Sequence, residues 1–152
     1  MKITFVENKN KIDYLIKTKL VNDKLLIFPL SLNGLVYLKK KKIDFENPVT
    51  YFNNQSHTKC LKHTDSIIKL ILKNELRFDY ESISDWFANG VRHSSLNYVI
   101  YLIEIVTNII NIKKPDGVLI LSYNKNKSDG WFMSLYDDYL SDLLPILCNI
   151  NK

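Results

Sequence analysis

The sequence is poor in the residues that mark unusual classes of protein. It contains only 4 Gly, 4 Pro and 2 Cys in 152 residues, against 46% hydrophobic residues. So little glycine and proline argues against a disordered or fibrous chain. The two cysteines, Cys60 and Cys148, are far apart and form no C-x-x-C pair. They predict two thiols in a reducing compartment rather than a disulfide framework or a zinc ribbon.

Familiar nucleotide-binding and catalytic motifs are also missing. The first predicted strand-to-helix turn reads Glu7-Asn8-Lys9-Asn10-Lys11, where a dinucleotide site would have G-x-G-x-x-G. The chain contains no G-x-x-x-x-G-K-[ST], no G-x-S-x-G and no H-E-x-x-H. These absences argue against a P-loop NTPase, an α/β-hydrolase and a zinc protease.

No segment has the pattern of a membrane span or a signal peptide. Residues 1–16 carry charges throughout. The most apolar stretch, Leu96–Ile112, is interrupted by Asn97, Glu104 and Asn108, which favours a buried helix. We therefore expect a soluble, cytoplasmic protein without a membrane span.

The formal charge of +5 could attract phosphate-bearing partners. However, the lysines are scattered among 16 acidic residues, and the longest run, Lys39–Lys42, follows an apolar helical stretch. Cations in a last helical turn complement the helix dipole. A solvated helix end is favoured over a basic patch, so we predict no nucleic-acid partner.

Strand and helix patterns alternate along the chain. Residues 2–7, 24–28 and 118–122 predict strands, residues 43–45 and 49–52 are weaker strand candidates, and helical periodicity fills the intervals. This order predicts an α/β fold: one Rossmann-like domain spanning residues 1–152. It would be a three-layer domain, with a mainly parallel sheet of about four to five strands and helices on both faces.

The helices of the second half need a break. A helix from Ser84 to Lys113 would measure about 45 Å, too long for so small a domain. Asn89-Gly90 is the predicted break, with a restart near Ser94. The core stripe of the restarted helix is then Val99, Leu102, Ile103, Val106, Ile109 and Ile110. A final helix is predicted from about Ser134.

In open α/β sheets, ligands bind outside the carboxyl ends of the strands. This rule selects three loops: Glu7-Asn8, Pro29–Asn33 and Ser122–Gly130. Each loop could equally be plain surface.

Two further clusters have a functional and a simpler interpretation. His57, Cys60 and His63 have the spacing of metal ligands on one helix face, but no fourth ligand is evident. Polar helix surface is favoured there, and no metal site is predicted. Arg92-His93-Ser94-Ser95 could bind an anion at the start of the long helix, or Ser94 could simply cap that helix.

The stretch Leu26–Phe52, LIFPLSLNGLVYLKKKKIDFENPVTYF, resembles the start of proteins of surface-carbohydrate biosynthesis. The later motifs DWF, KKPDGVLILS and SLYDDYL occur in the same order. Together they resemble the N-terminal Rossmann-like half of a two-domain (GT-B) glycosyltransferase.

The resemblance implies an acceptor-side half, with the nucleotide-sugar donor bound mainly by a C-terminal domain that this chain lacks. It implies a sugar or nucleotide-sugar ligand, no bound metal and no cofactor. By position, the cleft would be approached by Asn8, Ser31, Asn33, Arg92, His93, Ser122 and Asn124. None of these residues is assigned as a catalytic base, so whether the chain is an enzyme stays open. The alternative is a non-catalytic binding or protein-interaction module, for example a homodimer formed through Tyr98, Tyr101 and Ile105.

Overall fold

The computed structural model describes residues 1–75, 90, 96–121 and 144–149. The chain divides into two compact units, one formed by Met1–Pro48 with Ile109–Lys152 and the other by Val49–Asn108. The elements are β1 (Lys2–Val6), α1 (Lys9–Lys17), β2 (Leu25–Pro29), α2 (Leu32–Lys41), a 3₁₀ turn (Pro48–Tyr51), α3 (Asn54–Glu75), α4 (Asn97–Lys113) and β3 (Gly117–Leu119). Residues 144–149 are also helical. In these ranges, no helix has both the length and the apolar character needed to cross a membrane.

The first unit is built on a parallel sheet with the strand order β2-β1-β3. Thr4 in β1 lies opposite Ile27 on one side and Leu119 on the other. The predicted α/β class and parallel sheet are confirmed. The predicted count of four to five strands is wrong, because the sheet has three strands in the described part of the chain.

The two weak strand candidates, residues 43–45 and 49–52, are not strands. Lys42 takes a left-handed conformation (φ 56°) that ends α2. The chain then bonds to β2 through its main chain, from Glu46 N–H to the carbonyl of Ile27 at 3.0 Å. Pro48 has no N–H to add to a ladder and instead begins the 3₁₀ turn. The Lys run closes the last turn of α2, as predicted.

Strand β1 is buried on both faces, since Ile3, Thr4, Phe5 and Val6 are each at most 2% exposed. One face belongs to a core cluster with side chains from both flanking helices: Val6, Ile12, Leu15, Ile27, Leu38 and Leu121. On the other face, the rings of Phe5 and Phe28 pack with their centroids 5.6 Å apart. Burial on both faces explains the continuous apolar runs in β1 and β2.

Strand β3 is shorter than predicted. The sequence predicts Val118–Ser122, whereas the structure has Gly117–Leu119, each partly buried. Leu121 nevertheless reaches the core at 7% exposure. The predicted final helix from about Ser134 lies largely outside the described residues, and Pro145 falls within its helical part at 144–149.

In the second unit, α3 lies antiparallel to the first part of α4. Three pairs of polar side chains set this arrangement: Thr64 with Asn97, Lys59 with Glu104, and Ser56 with Asn108. Ser56, Cys60 and Thr64 are all buried, and their small side chains at four-residue spacing let the helices approach closely. The polar residues that interrupt the apolar run of α4 are therefore partners for α3, which confirms the interpretation as a buried helix.

The core stripe predicted for α4 omits a buried residue. Leu102, Val106 and Ile109 are buried as predicted, and Ile100, which the predicted stripe does not contain, is buried as well. Every residue from 97 to 110 is at least partly buried, so the helix is enclosed rather than one-sided. The long helix begins at Asn97, close to the restart predicted near Ser94, whereas the predicted break at Asn89-Gly90 lies largely outside the described residues.

Helix α2 packs closely on the end of β1 at Gly34. A Cβ atom there would lie 3.2 Å from the carbonyl oxygen of Val6 and 3.4 Å from that of Glu7. Both oxygens belong to the backbone and have little freedom to move. A Cβ atom at this position would therefore crowd the strand, which favours glycine here.

We expect Gly34→Ala to destabilise the protein, by about 1 kcal/mol, although alanine is the better helix former. The crowding against β1 outweighs the gain in helix propensity. Gly90→Ala is the matched control, because Gly90 is also helical and a Cβ there meets nothing within 4 Å. It should stabilise by up to about 1 kcal/mol. Urea denaturation of both variants measures the difference; an equal gain at both positions would contradict the packing argument.

Candidate functional site

The strand order identifies one edge of the sheet as the candidate site. The chain passes from β1 to β2 on one side and later returns to β3 on the other side of β1. In parallel sheets, such a reversal opens a crevice between the carboxyl ends of the two strands that flank it. Here these are the ends of β1, at Val6, and of β3, at Leu119. We call the region formed by these strand ends and the starts of α1 and α2 the sheet edge.

Asn8 lies at this edge because β1 leads almost directly into α1. Its backbone is extended, and its side-chain oxygen accepts a hydrogen bond from Lys11 N–H at 3.0 Å. This is N-cap geometry, which the polar turn after the first predicted strand suggested. The predicted site residue Asn8 is therefore both a cap and a half-buried polar group at the sheet edge.

Ser31 occupies the corresponding position after β2. Its hydroxyl oxygen accepts from Gly34 N–H at 2.9 Å, and the hydroxyl donates to the main-chain carbonyl of Glu7. Ser31 thus caps α2 and ties it to the end of β1, which explains why Gly34 comes so close to the strand. The carbonyl of Glu7, the residue before Asn8, is thus in contact with the Ser31 hydroxyl.

The other predicted site residues divide into two groups. Asn33 is exposed in the first turn of α2. Arg92, His93, Ser122 and Asn124 lie outside the described residues. Their assignment to the cleft stays a prediction.

Sequence reasoning missed an ion pair at the sheet edge. The Glu7 carboxylate and the Lys11 ammonium are 2.7 Å apart, and the two side chains are 5% and 4% exposed. Taking both charges out of water is costly unless they neutralise each other. The spacing of an acid and a base four residues apart, directly after a strand, was the signal in the sequence.

The proposed metal ligands do not form a cluster. Cys60 is 1% exposed, and its thiol lies 3.9 Å from the carbonyl of Ile100. His57 bonds instead to the Tyr101 hydroxyl, with 2.7 Å between Nδ1 and the oxygen, and His63 is exposed. Within the described residues, no three His, Cys, Asp or Glu side chains are placed to hold a metal ion.

Burial raises the pKa of the Cys60 thiol, and the nearby Glu104 carboxylate raises it further, while Lys59 opposes the shift. A thiol that stays protonated is a poor nucleophile. Cys60 is therefore a core residue and not a reactive one. Neither cysteine forms a disulfide, as the sequence predicted.

A groove in the second unit does not coincide with the sheet edge. It is lined by one polar face of α3, and none of its lining residues belongs to β1, α1 or α2. Strand topology favours the sheet edge as the site inherent in the fold, because the crevice follows from the strand order.

Comparisons of the chain with protein-family models, with curated proteins and with solved structures find no match in any of the three.

We expect Lys11→Met to destabilise the fold by about 3–5 kcal/mol, because it removes the ammonium group next to a buried carboxylate. Lys17→Met, on the exposed side of the same helix, should cost less than about 1 kcal/mol. The single variant Glu7→Gln completes the set, and the double variant Glu7→Gln/Lys11→Met should recover part of the stability that Lys11→Met loses. Urea unfolding of the set gives the coupling energy, and additive effects of the two single changes would show that the pair contributes nothing.

We expect Cys60 to resist alkylation in the native protein. In a Cys148→Ser variant at pH 8, iodoacetamide should label Cys60 at a rate set by unfolding, and rapidly in urea. Because the folded-state pKa of Cys60 lies above the unfolded value, the contribution of this thiol to stability is complete below the ordinary thiol pKa and is lost as the pH rises from there through the raised folded-state pKa. Native labelling as fast as in urea would refute the burial of Cys60.

Proposed function

We propose that the chain is a glycosyltransferase-related domain, the acceptor-side half of a two-domain sugar-transfer enzyme of surface polysaccharide biosynthesis. Its ligand would bind at the sheet edge. The observation that carries the proposal is the strand order β2-β1-β3, which opens a crevice beside β1. The doubly wound, three-layer arrangement belongs to the same proposal and is supported by the burial of β1 on both faces.

The polar groups at the edge suit a hydroxylated ligand. Asn8 carries an amide, whose oxygen accepts from Lys11 N–H, and Ser31 carries a hydroxyl, which donates to the Glu7 carbonyl and accepts from Gly34 N–H. A ligand hydroxyl at this edge would share or replace these bonds. Glu7 and Lys11 together carry no net charge, so the buried ion pair does not by itself select a charged ligand. The resemblance to glycosyltransferases is the basis for proposing a sugar ligand, and the strand order supports the sheet edge as its proposed position.

The proposal assigns binding rather than catalysis to the described residues. Asn8, Ser31 and Asn33 do not titrate near neutral pH, so they can orient a ligand but cannot act as its general base. In the proposed enzyme, the donor and any missing catalytic group would come from the C-terminal domain or from residues outside the described ranges.

We expect a simple glycan or a nucleotide-sugar such as UDP-glucose to raise the melting temperature of the chain. A ligand at 100 times its dissociation constant stabilises a fold by about 2.7 kcal/mol. Amide shifts in a ¹⁵N NMR titration should then map to residues 7–11 and 31–34. Asn8→Ala should weaken binding, because it removes a polar group of the edge.

The matched control is Asn53→Ala. Asn53 caps α3 with the same geometry, accepting from Ser56 N–H at 2.9 Å, but it lies in the other unit. Both variants should lose about 1 kcal/mol of stability through the lost cap. Equal binding by both variants, or no shift at the sheet edge with any sugar or nucleotide-sugar, would overturn the proposal.

The alternative is a non-catalytic interaction module. The surface that supports it is not the helix face predicted from the sequence. Tyr98, Tyr101 and Ile105 are partly buried rather than exposed. The outward face of α2 carries two large exposed side chains one turn apart, Leu32 (75%) and Val36 (56%). Sedimentation analysis distinguishes the alternatives: a dimer disrupted by Val36→Lys, without sugar binding, would support the interaction module.

A further inference from the structure

An open groove of about 580 Å³ runs along α3 in the second unit. The described residues that line it all have polar or charged side chains, although most of the surface that faces the groove is carbon: Asn54, Gln55, Thr58, Lys59, Lys62, His63 and Ser66. They follow one face of the helix over about 18 Å, at about 1.5 Å per residue. The volume lies in the range of small-molecule sites, about 300–1,000 Å³.

The groove is electrostatically suited to an anion. Its described lining includes two lysines and a histidine but no acidic residue. Lys59 already pairs with Glu104 at 2.6 Å. Lys62 and His63 are exposed, and within the described part of the chain they have no hydrogen-bond or ion-pair partner. The first turn of α3 also lacks an acidic residue, so no carboxylate there offsets the positive end of the helix dipole.

The remaining side chains suit hydroxyl groups. Thr58 donates its hydroxyl proton to the carbonyl of Asn54 at 3.0 Å, and Ser66 donates to that of Lys62 at 2.9 Å. Their oxygen lone pairs are then left as acceptors. The amides of Asn54 and Gln55 can both donate and accept. The described lining has no aromatic ring to stack on a base and no large apolar side chain to anchor a protein partner.

We propose that this face of α3 is a binding site for a small phosphorylated polyol, such as a sugar phosphate. Lys62 and His63 contact the phosphate group, since an ammonium and an imidazole N–H both donate to phosphate oxygens. The amides and hydroxyls contact the polyol. Lys59 remains with Glu104 and holds the helix pair together. The site is independent of the sheet edge, because its residues belong to the other unit.

The test is a ¹⁵N NMR titration of the whole chain with glucose 1-phosphate at millimolar concentrations. Shifts should concentrate at residues 54–66 and exceed those produced by equal concentrations of glucose or inorganic phosphate. The double variant Lys62→Gln/His63→Gln should bind about fivefold more weakly or worse, since an exposed ion-pair contact such as that of Lys62 contributes up to about a factor of five and the His63 hydrogen bond is lost as well. Lys69→Gln is the matched control, because Lys69 is exposed on the same helix but outside the groove.

Three results would overturn the proposal: no shift along α3, equal shifts with inorganic phosphate or glucose alone, or an equal loss of affinity in Lys69→Gln. Shifts confined to residues 7–11 and 31–34 would also overturn it while supporting the sugar site at the sheet edge. Circular dichroism of the double variant checks the fold, which should be unchanged because both side chains are exposed.

Discussion

The pairing of β1 with a strand on each side is the constraint on which the first unit depends. Its main chain bonds to β2 and β3, and the Thr4 hydroxyl adds a bond to the carbonyl of Leu119 at 2.9 Å. The carbonyl of Val6 then accepts from Leu30 N–H at 2.9 Å, which places the start of α2 beside the end of β1. The caps Asn8 and Ser31 and the close approach at Gly34 all follow from that position.

Each unit also contains a buried carboxylate paired with a lysine, but the two pairs differ in exposure. Glu7 and Lys11 are both hidden, so their charges are removed from water together. Glu104 is 10% exposed, whereas its partner Lys59 is 54% exposed and reaches the groove of α3. The first pair is a fixed part of the sheet edge, and the second joins two helices while leaving its cation in contact with solvent.

Local signals predicted the elements whose formation is local. Asn8 before Ile12 and Leu15, and Ser31 before α2, are caps followed by helical periodicity, and both helices form there. Prediction failed where contact with a neighbouring element determines whether a segment becomes a strand. Residues 43–45 have the composition of a strand, but they are not paired as one: the main chain bonds to β2 at Glu46, and Pro48 has no N–H with which to continue a ladder.

The sequence by itself determined the α/β class, the parallel strands and the helices α1 and α2, because these depend on periodicity and on residues close in the chain. The tertiary structure decided the strand order and the three-strand sheet of the described residues. It also decided the partners of the buried charges: Lys59 and Glu104 are 45 positions apart, and no local pattern pairs them. The same reason separates the candidate sites. Asn8 could be predicted as a site residue from its place after a strand. The groove of α3 could not be predicted, because the pairing of Lys59 with Glu104 and the exposure of Lys62 are set by the tertiary structure.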